Sequence, residues 1–329
     1  MRRFALVSLI TAVALNLPLP LRAQQQPAMP VIGFLTTASA SARSGDQLAA
    51  FHLGLQEAGY VENRNVLIEY RWAEDDYSRL PVFAEELIRL RVAVIVAAGG
   101  HVSALAAHKA TKDIPIVFTT VTDPVKEGLV VSLNKPGGNA TGTAGLTSEL
   151  DPKRLELLHE VKPTAKLVGV LVNPNRPGVD SESRELQAAA DKLNLKLEFG
   201  KATTEREIDT AFATLASQRV ETLLVTADPF FNNRRAQVVL NAASLSIPAV
   251  YQWREFVLAG GLMSYGPSIT EAYHQAGINT GRILKGEKPA DIPVVQPTRF
   301  QLVINRWTAR HLGLTLSPNL LSRVDEVIE

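Results

Sequence analysis

Short apolar segments rich in β-branched residues alternate with amphipathic segments along this chain, and this alternation limits its fold more than any other feature. Each apolar run has the length and composition of a buried parallel strand. A strand–helix–strand order of this kind is typical of α/β architecture with a parallel sheet. The predicted strands lie at 31–37, 65–70, 92–100 and 114–122, and the predicted helices at 44–59, 78–90 and 101–111.

The strand pattern occurs a second time in the later part of the chain. Three pairs of matched segments, separated by roughly 130 residues, predict two similar α/β lobes in tandem. In these pairs 166–174 resembles 31–37, 223–229 resembles 94–100, and 247–253 resembles 114–121.

A glycine-rich stretch, KPGGNATGTAGL at 135–146, lies at the junction of the two predicted lobes. A phosphate-binding loop would need a lysine and a hydroxyl residue after its last glycine, whereas Leu146, Thr147 and Ser148 follow here. The dinucleotide-binding fingerprint is also absent after the first strand. We therefore predict a crossing between lobes at this stretch, with further crossings at 260–266 and 288–297.

The N-terminus has the pattern of a secretory signal peptide. Arg2 and Arg3 precede the apolar run 4–15, and small and polar residues follow it. Cleavage is predicted after Ala23. The apolar run is too short to cross a bilayer as a helix, which favours removal over a permanent anchor. We therefore expect an exported protein without a membrane anchor.

The composition excludes several classes of function. The chain has no cysteine, which excludes disulfides, thiolate nucleophiles and cysteine–zinc sites. The net charge is +1 and the basic residues are scattered, so nothing indicates a nucleic-acid partner. Neither a G-x-S-x-G nor an H-E-x-x-H motif occurs. We therefore expect no catalytic residues, no metal and no cofactor.

Three blocks of sequence resemble the substrate-binding proteins of ABC transporters in the tryptophan/tyrosine-type family. The resemblance implies the type I periplasmic-binding-protein fold, with two tandem Rossmann-like parallel-sheet lobes joined by a three-segment hinge. It also implies capture of a small molecule, such as an aromatic amino acid or related organic acid, for delivery to a permease. The blocks are IPIVFTTVTDPVKEGLVVSLNKPGGNATG (114–142), GGLMSYG (260–266) and ILKGEKPADIPVVQPTRFQLVINRWTARHLGL (283–314).

Within this fold we expect residues 1–23 to be the signal peptide. The first lobe is expected to comprise 24–141 and 265–290, and the second lobe 142–264 and 291–329. The resemblance further implies a periplasmic monomer whose partners are its ligand and the permease subunits in the inner membrane. The expected hinge residues are Thr141, Gly142, Thr143, Ser264, Tyr265 and Gly266.

Ligands of open parallel sheets bind beyond the C-terminal ends of the strands, so residues at those ends are candidates for contact. Asp228 is the candidate partner for a ligand ammonium group. Serine, threonine and aspartate at these positions can instead cap helices, and the aromatic residues can belong to the core. The candidates are Thr36, Thr37, Ser39, Gly99, Gly100, His101, Ser103, Thr120, Asp123, Asn173, Asn175, Ser181, Asp228, Phe230, Tyr251 and Trp253.

Two other functions are compatible with an exported α/β protein to different degrees. A sensory protein that presents a solute to a membrane receptor would have the same fold, and the sequence leaves this alternative open. An exported hydrolase would need a nucleophile for a base such as His101 to activate, and the sequence identifies none.

Overall fold

The computed structural model describes residues 29–41 and 45–329, so the predicted signal peptide at 1–23 lies outside the described residues. The described chain forms two α/β lobes, each built on its own sheet, which confirms the predicted fold class. Within this part of the chain, no helix combines the length and apolar character that crossing a membrane requires.

The N-terminal segment builds most of the first lobe. Its elements are β1 (Val31–Thr36), α1 (Asp46–Glu57), β2 (Leu67–Trp72), α2 (Leu80–Arg89), β3 (Val94–Ala98), α3 (His101–Ala110), β4 (Ile116–Thr120) and β5 (Ala140–Ala144). The five strands pair in the order β2-β1-β3-β4-β5, and every pairing is parallel.

The middle segment builds most of the second lobe. Its elements are α4 (Asp151–Val161), β6 (Leu167–Val172), α5 (Val179–Lys192), β7 (Lys196–Lys201), α6 (Glu205–Ser217), β8 (Thr222–Val225), α7 (Pro229–Asn233), α8 (Arg235–Ser244), β9 (Ala249–Tyr251), α9 (Arg254–Leu258) and β10 (Met263–Gly266).

The C-terminal segment divides between the lobes. Its elements are α10 (Ile269–Leu284), β11 (Gln301–Asn305), α11 (Arg306–His311), α12 (Pro318–Leu321) and β12 (Glu326–Ile328). Helix α10 packs on α1 in the first lobe. The remaining strands extend the second sheet to the order β12-β11-β10-β9-β8-β6-β7, in which only β10 and β11 are antiparallel among the described pairs.

Helices cover both faces of each sheet, as the nearly continuous apolar strands require. In the first lobe, Phe118 lies in the core on one face and Phe34 in the core on the other. In the second lobe, Phe231 and Val170 mark the two corresponding cores. The C-terminal strand ends of both sheets are therefore the parts left free to face each other.

The predicted lobe boundary at 141/142 is wrong, because β5 belongs entirely to the first sheet. It pairs with β4 from Ala140 to Ala144, so the expected hinge residues Thr141, Gly142 and Thr143 lie inside a strand. A Cβ atom on Gly142 would lie 2.0 Å from the carbonyl oxygen of Phe118. This glycine therefore allows close pairing of two strands, and the chain leaves the first lobe only at 145–147.

The other two boundaries also lie further along the chain than predicted. The expected hinge residues Ser264, Tyr265 and Gly266 pair with β11 in the second sheet, so this crossing lies at 267–268 instead of 264/265. The third boundary, predicted at 290/291, falls after Val295, whose N–H donates to the carbonyl of Gly142 in the first lobe. The last crossing is therefore 296–300.

Candidate ligand-binding cleft

A cavity lies where the C-terminal strand ends of the two lobes meet. The empty space there, counted together with the open mouth, is about 570 Å³. The first lobe contributes strand ends and α10, the second lobe contributes α7 and the end of β9, and two crossings lie between them. The lining residues are Ala38, Gln47, Gly99, Gly100, Thr119, Thr120, Val121, Gly145, Thr147, Pro229, Asn232, Asn233, Trp253, Pro267, Ser268, Ile269, Ala272 and Tyr273.

The loop after β1 is held by hydrogen bonds within the first lobe. Thr37 Oγ1 donates to the carbonyl of Gly99 at 3.1 Å, and Thr36 Oγ1 accepts from the N–H of Ala38 at 3.2 Å. Ser39 is bonded to Ser41 at 2.6 Å in an exposed groove beside the cavity. These three predicted ligand contacts therefore shape the loop, and of the described residues between 37 and 41 only Ala38 lines the cavity.

The start of α3 opens toward the cavity through two glycines. Gly99 and Gly100 have φ of 79° and 98°, a backbone region that other residues rarely adopt. Gly100 is the N-cap and supplies no side chain to bond the first N–H groups of the helix. Both glycines line the cavity, so a ligand can approach the backbone closely here.

His101 and Ser103 follow on the first turn of α3 and are fully buried. Neither ring nitrogen of His101 nor the Ser103 hydroxyl has a hydrogen-bond partner among the described residues. Burial, assisted by the positive charge of Arg176, lowers the pKa of His101 to about 3. The ring is therefore neutral at ordinary pH and faces the lobe interface rather than the open cavity.

Two predicted residues after β4 have different surroundings. Thr120 lines the cavity, and its hydroxyl lies 3.0 Å from that of Thr122. Asp123 lies outside the cavity lining and accepts from the N–H of Val125 at 2.8 Å, which is a capping role.

Asp228 lies at the centre of the contact between lobes, with none of its surface exposed. Its Oδ1 caps α7 by accepting from the N–H of Phe230 at 2.9 Å. The same oxygen accepts from Asn173 at 3.1 Å and from the hydroxyl of Tyr77, in the other lobe, at 3.1 Å. Burial raises the pKa of Asp228, which the hydrogen bond from Asn173 and the charge of Arg176 partly offset.

Arg176, which the sequence analysis did not identify, is the cation beside Asp228. Its side chain is almost fully buried, its Nε lies 4.0 Å from Asp228 Oδ2, and it also pairs with Glu182. The loop that holds it begins at Asn173, whose Oδ1 accepts from the N–H of Asn175.

The predicted residues Asn175 and Ser181 are exposed, Asn175 in a groove at the edge of the cleft. Ser181 lies on the first turn of α5 and contacts neither the cavity nor that groove.

The aromatic candidates divide between cavity and core. Trp253 lines the cavity and is 4% exposed. Tyr251 is stacked on Phe256 in the core, and Phe230 is buried in the core at the edge of the cleft. Tyr273 of α10, absent from the predicted set, also lines the cavity and accepts from the N–H of Gly99 at 3.1 Å.

The loop after β2 joins the two lobes at the end of the cleft farthest from the crossings. Besides the Tyr77–Asp228 bond, Asp75 accepts from Asn233 at 2.5 Å and pairs with Arg234 at 3.0 Å. Nearer the centre, a Cβ atom on Gly100 would lie 2.6 Å from Pro229 Cγ. The lobes are thus in direct contact around the cavity.

Arg154 of α4 connects the first crossing to β10 of the second lobe. Its buried guanidinium donates to the carbonyl of Thr147 at 2.9 Å, to that of Tyr265 at 2.8 Å, and to Asp151. Burial raises the pKa of Asp151 to about 6, and the Arg154 charge opposes this rise. No sequence motif marks Arg154, because its role depends on two distant carbonyl groups.

The sequence matches known proteins over almost all of the described chain. Residues 41–328 match the family model described as ABC transporter substrate binding protein. A curated relative, the tyrosine-binding protein of Clostridioides difficile, is 31% identical over 264 residues, which are 80% of this chain and 75% of the relative.

Three solved structures match this chain over 91% of its length and over 99% of their own. A conserved domain protein from Vibrio cholerae is 26% identical with a TM-score of 0.80. A protein from Streptococcus pneumoniae, solved in complex with L-Trp, is 27% identical with a TM-score of 0.77. A ligand-free, open substrate-binding protein from Clostridium difficile is 27% identical with a TM-score of 0.61. This chain belongs to the family of ABC transporter substrate-binding proteins.

Proposed function

We propose that this protein is the extracytoplasmic receptor of an ABC importer, which captures a small solute between its lobes and delivers it to a permease. The observation that supports this most directly is the cavity, which both lobes line and which the interlobe contacts of Tyr77 and Asp75 enclose. Membership of the family supports a role in solute binding, and the cleft is where we propose that the solute is captured.

The arrangement of the lobes supports a closed, binding-competent form. The Streptococcus relative with L-Trp and the ligand-free open relative are equally identical to this chain, at 27%, and are covered to the same extent. The TM-score is nevertheless 0.77 for the complex and 0.61 for the open protein. Since the sequence identity is the same, the higher score for the complex supports an arrangement of the lobes closer to that of the complex.

Capture follows from a shift between open and closed forms. A solute that contacts both lobes binds the closed form more tightly, and it therefore raises the population of that form. The crossings at 145–147, 267–268 and 296–300 are the segments about which the lobes would rotate. The closed form would then present one fixed surface to the permease.

The solute class follows from the relatives and from the cavity walls. One relative is named for tyrosine and another was solved with L-Trp, so an aromatic amino acid or related organic acid is the candidate class. Trp253 and Tyr273 supply aromatic walls for a planar ring. The predicted signal peptide at 1–23 would export the chain to the periplasm.

A role in binding without catalysis is also part of this proposal. His101 is neutral and has no hydrogen-bond partner among the described residues, so it has no nucleophile to activate.

A thermal-shift screen against amino acids, aromatic acids, branched acids, polyamines and sugars tests the function. A solute at one hundred times its dissociation constant should stabilise the protein by about 2.7 kcal/mol. For a chain of this size the unfolding midpoint should rise by several degrees. If no solute of any class stabilises the protein, the proposed function is contradicted.

A further inference from the structure

The cavity between the lobes has no charged lining. Among the described residues that line it, none is Asp, Glu, Lys, Arg or His. Its polar groups are hydroxyls, such as Thr119 and Thr147, and the amides of Gln47, Asn232 and Asn233. Among the described lining residues, a ligand therefore meets hydrogen-bond donors and acceptors but no charged side chain.

The charged side chains closest to the cavity already have partners. Asp228 faces Arg176 and uses its other oxygen for three donors. At the outer edge, Arg234 pairs with Asp75 at 3.0 Å and with Glu205 at 2.7 Å. Each of these carboxylates faces an arginine and neither lines the cavity, although Oδ2 of Asp228 and of Asp75 has no hydrogen-bond partner among the described residues.

Among the described residues, carboxylates that could meet a cation line two grooves next to the cavity: Glu271 lies in the groove beside the crossings, and Asp46, Asp75 and Glu255 lie in the groove at the mouth. Arg235 also lines the groove at the mouth, which shares Gln47 and the two asparagines with the cavity. These charged side chains do not line the cavity itself.

An ammonium group would therefore lose its hydration in this cavity without gaining a carboxylate, and burial of an unpaired charge is costly. A carboxylate has a better environment, because α3, a helix of ten residues, begins beside the cavity with an uncapped N-cap glycine. Asn232 provides an independent sign of a polar ligand. It is 4% exposed, lines the cavity, and its Oδ1 has no partner among the described residues.

We infer that the solute of this cleft carries a ring and no cationic group, unlike the amino acids named for the relatives. This inference rests on the proposed function and narrows its ligand class. Trp253 and Tyr273 bound the ring, the start of α3 and the threonine hydroxyls receive an acidic or neutral polar group, and Asn232 bonds the remaining polar atom.

Calorimetric titration with matched compounds tests the inference. Each set shares one ring and differs in its charged groups: L-phenylalanine, 3-phenylpropionate and phenethylamine; L-tryptophan, indole-3-propionate and tryptamine; L-tyrosine, 4-hydroxyphenylpropionate and tyramine. We expect at least one acid to bind at least 10-fold more tightly than the amino acid and the amine of its set.

Tighter binding of an amino acid or an amine would overturn the inference and leave the proposed function intact. Absence of binding by all nine compounds would also overturn it, whereas the wider thermal-shift panel decides separately whether the protein binds any solute. The two failures are therefore distinguishable.

A charge placed in the cavity should reverse the preference. Asn232→Asp should weaken the acid at least 10-fold and favour the amino acid of the same set, because it supplies the missing carboxylate. Asn134→Asp makes the same change on an exposed loop of the first lobe and should leave both affinities unchanged. An unchanged ratio in Asn232→Asp would show that cavity charge does not select the solute.

Discussion

The two lobes share one architecture but present different chemistry to the cleft. The first lobe's described residues that line the cavity are uncharged, and its loops are held by bonds such as those of Thr37 with Gly99 and Thr120 with Thr122. The second lobe contributes a buried charged pair, Asp228 with Arg176. The difference indicates that the first lobe offers the adaptable surface for a solute, whereas the second lobe depends on a fixed electrostatic network.

The same contrast applies to the crossings. Arg154 of the second lobe donates to the carbonyl of Thr147 in the first crossing. The first lobe instead holds the segment before the third crossing through backbone bonds, such as that from Val295 to Gly142. Removal of a charged group from the second lobe should therefore lower the free energy of unfolding most. Removal of a single hydroxyl should change only the equilibrium between the open and closed forms.

Arg154→Met should have the largest effect. It leaves the carboxylate of Asp151 buried without its partner and releases the carbonyl groups of Thr147 and Tyr265. Loss of one member of a buried ion pair typically lowers the free energy of unfolding by about 3–5 kcal/mol. Urea denaturation at pH 7 would measure the loss.

Lys153→Met is the matched control, because Lys153 belongs to the same helix and forms an exposed pair with Glu156. It should change the free energy of unfolding by less than about 1 kcal/mol. Equal losses of unfolding free energy in the two variants would contradict the stabilising role of the buried Arg154 contacts.

Asp228→Ala should rank second. It removes the cap of α7, leaves the donors of Tyr77 and Asn173 without this acceptor, and removes the carboxylate opposite Arg176. We expect a loss of about 2 kcal/mol or more in the free energy of unfolding, since buried partners remain unsatisfied. Asp123→Ala, at a more accessible cap of the first lobe, should cost about 1 kcal/mol. A larger loss of stability in Asp123→Ala than in Asp228→Ala would contradict the view that the second lobe depends more on its charged groups.

The pH dependence of the free energy of unfolding tests whether His101 is buried and neutral in the folded protein. Its folded pKa of about 3 lies below the unfolded value, so its contribution is present above about pH 6.5 and is lost as pH falls toward 3. Asp151 has the opposite effect: its pKa is raised in the folded protein, so protonation of Asp151 favours the folded state as the pH falls. Between pH 7 and about pH 5.5 the wild-type protein should lose about 1 kcal/mol more stability than His101→Gln. Parallel losses in both proteins would contradict a buried neutral His101.

Tyr77→Phe should have the smallest effect. It removes the hydroxyl that donates to Asp228 across the lobes, so it should favour the open form and weaken solute binding about fivefold, equivalent to about 1 kcal/mol. Tyr60→Phe, at a tyrosine packed beside Gly281 within the first lobe, should leave affinity unchanged. If Tyr77→Phe and the wild-type protein bind the solute with equal affinity, the Tyr77 hydroxyl does not stabilise the closed form.

The sequence predicts the two lobes well because buried parallel strands leave a clear apolar signal, as at 92–100 and 114–122. It places the crossings too early, because glycines such as Gly142 serve close strand pairing as readily as a hinge. It does not reveal Tyr77, Arg154 or Arg176, since their partners lie in distant parts of the chain. Strand-end positions can be read from one sequence, but contacts between lobes depend on how the lobes meet.

The most direct test of the account is the distance between lobes with and without solute. The chain has no cysteine, so Arg89→Cys and Arg206→Cys, on exposed positions of α2 and α6, would carry two spin labels at unique sites. We predict that the solute that most stabilises the protein shifts the distance distribution measured by pulsed electron resonance to a single shorter value. An unchanged distribution at saturating solute would contradict capture by closure of the cleft.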